Sequence, residues 1–89
     1  MNLAPELESI GLTKNEVKVY LALLEVGQAR TGAIIKKTGI HTSKVYDSLQ
    51  RLEEKGLATH IVMASTKHFT AVDPHRLLDF LRDKQEKRR

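Results

Sequence analysis

Cysteine and tryptophan are absent from these 89 residues, and only two tyrosines and two phenylalanines occur. Without cysteine there is no disulfide framework and no thiolate zinc site. The histidines, His41, His60, His68 and His75, follow none of the spacings that zinc sites use, so no metal and no cofactor is expected. So few aromatics leave no stacking platform for unpaired bases, which argues against RNA as the partner. There is no glycine-rich phosphate loop and no nucleophile–base pair, which makes an enzyme the least expected function. The longest apolar run falls far short of a membrane span. No basic segment followed by an apolar core opens the chain as a secretory signal would. The expectation is a cytoplasmic protein of one domain, residues 1–89, whose small core gives only modest stability.

What is present is a 40% hydrophobic content, enough for a globular fold, and a net charge of +4. The distribution of that charge says more than its size. Residues 1–27 hold two cations and four anions, whereas residues 28–56 hold six cations and three anions. Residues 57–72 add Lys67, and residues 73–89 add six cations against four anions. The basic excess thus falls on the middle and the tail, as an electrostatic footprint for phosphate would. A merely soluble basic surface is the plainer reading of so small an excess.

The middle stretch, from Arg30 to Gly56, organises the rest. Ile34 and Ile35 give a short helix an apolar edge, and Gly39 stands where that helix must stop, in a conformation glycine tolerates. Val45, Leu49 and Leu52 recur at i, i+4 and i+7 in a longer helix starting near Thr42. Two helices across a glycine-containing turn have the form of a helix-turn-helix, whose second helix enters the DNA major groove. On that second helix Ser43, Asp47, Gln50 and Glu54 point away from the core face. Lys44 and Arg51 lie on one flank, and Tyr46 and Glu53 on the other. Base contacts come from the N-terminal turns of such helices, which selects Thr42, Ser43, Lys44, Tyr46 and Asp47, with Arg51 further along. Arg30, Thr31 and Lys36 on the preceding helix and Lys67 beyond complete the candidate DNA-binding set. Each has a plainer reading: Lys44 and Arg51 solvated, Arg51 paired with Asp47, Tyr46 half-buried against the preceding helix.

Around this unit the chain reads in order. Residues 1–11 form a short N-terminal helix with Leu3, Leu7 and Ile10 on one edge, Pro5 in its first turn and Gly11 at its stop. Thr13-Lys14-Asn15-Glu16 is a capping box, opening a helix to about Val26 whose buried stripe is Val17, Tyr20, Leu21 and Leu24. Thr31 is the expected cap of the next helix. After Gly56 the period changes to two. Leu57, Thr59, Ile61 and Met63 alternate with their neighbours, as do Phe69 and Ala71, about a turn at Ala64–Lys67. That turn holds no Gly or Asn, so its type stays unassigned. A hairpin behind a recognition helix makes residues 12–72 a winged-helix core. Asp73-Pro74 then signals a C-terminal helix over residues 73–89, with Leu77, Leu78, Phe80 and Leu81 apolar and a basic, polar tail. The expected fold class is α+β, mostly helical: a winged helix-turn-helix with N-terminal helices, a two-stranded wing and a C-terminal helix.

From Leu12 onward the order of elements resembles the N-terminal DNA-binding domain of the TrmB-like transcriptional regulators, best known from archaea. The matching stretches are Gly11-Leu12-Thr13, Glu16 through Leu24, Ser43-Lys44-Val45-Tyr46, Leu49 through Leu57, and Phe69 through Pro74. The resemblance implies a winged helix that binds promoter DNA as a dimer, with Ser43, Lys44 and Tyr46 inside its recognition helix. Longer members carry a C-terminal effector domain, often for sugars. These 89 residues end before one, and no small-molecule ligand site is evident. The wing, with Lys67 and His68, is poorer in cations than related wings tend to be.

The leading expectation is therefore a homodimeric transcriptional regulator bound to double-stranded DNA. The apolar edges of the terminal helices, Leu3, Leu7 and Ile10 with Leu77, Phe80 and Leu81, are candidate dimer surfaces, and packing within one subunit is the equal alternative. A winged helix used for protein–protein interaction is the competing function, favoured by Asp47 and Glu54 on the exposed helix face.

Overall fold

The computed structural model of the chain describes residues 4–73. Helix α1 (Ala4–Ser9) leads into α2 (Lys14–Val26), followed by the two-residue strand β1 (Gln28–Ala29). Helix α3 (Thr31–Thr38), helix α4 (Thr42–Glu54) and the hairpin strands β2 (Ala58–Met63) and β3 (Thr66–Ala71) complete the order. Leu3 and the expected C-terminal helix with Leu77, Phe80 and Leu81 lie outside the described residues.

Helix α2 is the central post. Its capping box forms as the sequence implies: the Glu16 N–H donates to Thr13 Oγ1 at 3.1 Å, and the Thr13 N–H donates to Glu16 Oε1 at 2.8 Å. A cap of this kind stabilises a helix start by about 1 kcal/mol. The buried stripe differs from the expected one. Val17 and Tyr20 are buried as anticipated, but Val19, Ala22 and Leu23 are buried with them while Leu21 and Leu24 are only half-buried. The reason is that α2 is packed from more than one side, by α1, α3, α4 and β3. A one-sided amphipathic stripe misreads a helix surrounded in this way. Leu7 is fully buried in the core, and Ile10 packs against it half-buried. The α1 edge thus packs within its own subunit, and Leu7 has no surface left to offer a second copy.

Helix α3 starts one residue earlier than expected. Arg30 occupies the N-cap without a side-chain capping bond, and Thr31 is the first helical residue. The stop at Gly39 follows the expectation, with a left-handed φ of 71° and its N–H donating to Ile35 O at 2.8 Å. Only Ile40 and His41 then separate Gly39 from α4, and the His41 ring caps the new helix by accepting from the Ser43 N–H. The buried face of α4 is Val45, Ser48, Leu49 and Leu52, as its spacing requires.

The wing carries a feature the period-two pattern did not show. Beyond the hairpin, β1 joins the free side of β3, pairing Gln28 with Thr70 and Ala29 with Phe69, so the sheet order is β1-β3-β2. The hairpin turn shrinks to Ala64 and Ser65, with φ of 50° and 63°. Positive φ at both positions is the mirror-type turn that matches the strands' right-handed twist, here built without the usual Asn-Gly. At the sheet's base the Val72 N–H donates to Leu57 O at 2.8 Å. The buried Tyr20 hydroxyl donates to Val72 O at 2.6 Å, tying the end of the wing to the central post. Burial and the nearby Asp73 charge raise the Tyr20 pKa above its ordinary 10.0, so the hydroxyl remains a donor.

Candidate nucleic-acid interface

Three elements converge on one open groove of about 980 Å³. The first turn of α3 supplies Arg30, Thr31, Gly32 and Ala33, and its next turn supplies Lys36. One flank of α4 supplies Tyr46, Gln50 and Glu53, and the tip of the wing supplies Ser65, Thr66 and Lys67. Leu49 and Phe69, both buried, form the apolar floor that fixes these walls relative to one another.

From the expected set the groove brings together Arg30, Thr31, Lys36, Tyr46 and Lys67. Tyr46 is 57% exposed, so its ring stands out from the helix and is not tucked against α3. Thr42, Ser43, Lys44, Asp47 and Arg51 are exposed along α4 but do not line the groove. Two of these are engaged with each other: Arg51 Nε donates to Asp47 Oδ2 at 3.0 Å, as the i, i+4 spacing allows. Gln50 and Glu53 line the groove although neither belonged to the expected set. The helical period placed Gln50 on the exposed side, but only the position of the wing shows which strip of that side is enclosed.

The electrostatics of the groove are unbalanced. Arg30, Lys36 and Lys67 form no ion pair among the described residues, and Glu53 is bonded to His60 of β2. The His60 ring in turn lies against Phe69, with centroids 5.5 Å apart. The cations of α3 diverge: Lys36 faces the groove, whereas Lys37 pairs with Glu25 of α2 at 3.3 Å, away from it. Three cations drawn from α3 and the wing thus surround an exposed helix flank whose carboxylate is already partnered. Oxygen-rich, anionic, convex partners fit that arrangement.

At the opposite end of α4, Lys55 Nζ donates to Glu16 Oε1 at 2.9 Å. Burial pushes the Glu16 carboxyl up, but hydrogen bonds from Thr13 and Lys55, with the Lys55 charge, outweigh it and hold its pKa below the ordinary 4.5. The link joins residues too far apart in sequence for any local motif to reveal, and it fixes the helix against the central post. Among the described residues no group of His, Asp or Glu side chains is arranged to hold a metal ion. No described helix is long and apolar enough to cross a membrane.

Comparison with known proteins gives the family and the fold. Residues 7–75 match the family model described as the sugar-specific transcriptional regulator TrmB. The chain is 33% identical over 78 residues to the HTH-type sugar sensing transcriptional regulator TrmBL1 of Pyrococcus furiosus, which covers 88% of this chain and 23% of that protein. It spans only 20–23% of the length of the curated relatives it matches. Among solved structures, that of TrmBL2, an archaeal chromatin protein that shows a novel mode of DNA binding, superposes with a TM-score of 0.73 at 28% identity. That match covers 85% of this chain and 29% of the other. A MarR family protein from Bacillus stearothermophilus shares the fold, with a TM-score of 0.65 at 19% identity over 86% of this chain and 56% of its own.

Proposed function

The chain belongs to the TrmB family of transcriptional regulators, and from that premise we propose that it binds double-stranded DNA sequence-specifically as a homodimer. The observation that carries this reading is the groove, where Arg30, Lys36 and Lys67 stand without carboxylate partners among the described residues around the exposed flank of α4. In this reading α4 enters the major groove, with Lys44 on its outer side adding a fourth cation for a phosphate. The first turn of α3, which has no side-chain cap, turns its backbone donors toward a phosphate on the flanking strand. Lys67 at the wing tip meets the backbone beyond. Two copies related by a two-fold axis read half-sites about 34 Å apart on one DNA face. Such a protein works where the DNA is, in the cytoplasm, and performs no chemistry on it.

The test is the salt dependence of duplex binding. Four neutralised phosphates per protomer, eight per dimer, give a log–log slope of about −7 for the dimer. Retention of no duplex of any sequence at low salt would sink the reading. It would favour the second one, a protein-docking module, which draws on the exposed Ile61, Val62 and Met63 of the wing.

A further inference from the structure

Resting on the DNA-binding reading, we propose that Gln50 determines which base pair α4 accepts, by hydrogen-bonding the major-groove edge of an adenine. Several polar side chains on the outer surface of α4 are already engaged. Asp47 and Arg51 hold each other at 3.0 Å, Glu53 is bonded to His60, and Ser43 is bonded to the His41 cap. Gln50 is exposed, and its amide has no hydrogen-bond partner among the described residues. It follows Tyr46 by one turn, so both side chains share a strip of the helix. That strip is the part of α4 enclosed between the first turn of α3 and the wing tip.

Enclosure settles the register. Base contacts in helix-turn-helix proteins usually come from the first turns of the helix, and Gln50 lies two turns in. A duplex seated against both α3 and the wing must nevertheless press on the segment between them. The chemistry of the side chain then narrows the target. An uncharged amide releases no counterions, so it contributes little to generic affinity. It offers one acceptor and two donors, matching adenine, which presents its N7 acceptor beside its N6 donor. A lysine or arginine at the same place would match guanine O6 and N7 instead.

Selection from a random duplex pool tests this with the wild-type chain, Gln50→Ala and Gln50→Arg. The wild-type consensus should contain an adenine whose preference over the other bases falls roughly 5- to 150-fold in Gln50→Ala. Gln50→Arg should move the preference at that position to guanine. The salt slope of Gln50→Ala should equal that of the wild type, and its melting curve should overlay, since the side chain is exposed and uncharged. A consensus unchanged in both variants, with duplex binding intact, would overturn the assignment of Gln50 alone. Loss of all duplex binding by the wild type would overturn the DNA reading beneath it.

Discussion

At the foot of α4, Lys55 reaches across to the buried Glu16, whose carboxylate also closes the cap of α2. Around the groove, Arg30, Lys36 and Lys67 meet no carboxylate of their own among the described residues. The same kinds of side chain therefore serve opposite ends. At the foot, charge is neutralised inside the chain and fixes where the helix stands. In the groove, charge is left over, and on the proposed reading it is what attracts the duplex. The comparison teaches that the number of cations near a recognition helix says less than the number without partners.

The two halves of this comparison can be separated by mutation, and the foot should give the largest effect. Glu16 is 1% exposed and its Oε2 has no hydrogen-bond partner among the described residues, so removing Lys55 leaves a buried carboxylate with one donor fewer. Breaking a fully buried pair costs about 3–5 kcal/mol. Because the Lys55 side chain is 39% exposed, Lys55→Ala should cost less, about 2–3 kcal/mol in a denaturant melt. The sign with pH follows from the depressed Glu16 pKa. The contribution is present above the ordinary value of 4.5 and is lost as pH falls through the folded value. Melts at about pH 6 and about pH 3 should therefore show a larger acid loss in the wild type than in Lys55→Ala.

A change of intermediate size, and opposite sign, is expected at the rim of the groove. Ala64 and Ser65 are both left-handed, at φ of 50° and 63°, a conformation costing roughly 1–2 kcal/mol per residue away from glycine and asparagine. Replacing the pair by Asn-Gly should stabilise the chain by about 1 kcal/mol, read as a higher melting temperature. An unchanged or lower value would mean that the turn does not carry this strain. The smallest effect belongs to the exposed pair on α4. Both Asp47 and Arg51 are more than half exposed, so Asp47→Ala should change stability by less than about 0.5 kcal/mol. It should strengthen duplex binding, since it removes an anion and frees Arg51. Weaker binding would show that Asp47 is itself a base contact.

How much of this was legible in the sequence depends on range. The capping box, the left-handed Gly39 and the buried face of α4 are local patterns, each set within a few residues. They were readable for that reason. The cap at Arg30 rather than Thr31 is a one-residue slip of the sort that follows when neither residue makes a capping bond. The Glu16–Lys55 link and the Tyr20–Val72 bond join distant segments, so no spacing announces them. Strand β1 is two residues long and has no period to detect. Within the candidate site, the cations of α3 and the wing were found by charge and position. Gln50 was seen to be exposed, yet its enclosure depends on where the hairpin folds back, which helical periodicity does not encode. The alternation at residues 57–63 marked a strand correctly but not its burial, because Ile61, Val62 and Met63 remain exposed.

The central claim is that cations around α4 without a carboxylate partner among the described residues, three of them lining the groove, hold the duplex, and not basic residues in general. Adjacent lysines on α3 test it directly: Lys36 lines the groove, whereas Lys37 is paired with Glu25 outside it. Measured as the slope of duplex affinity against salt, Lys36→Ala should make the dimer's slope shallower by about 1.8, one phosphate per protomer, while Lys37→Ala should leave it unchanged. Equal losses in the two variants, or a loss in Lys37→Ala alone, would contradict the account.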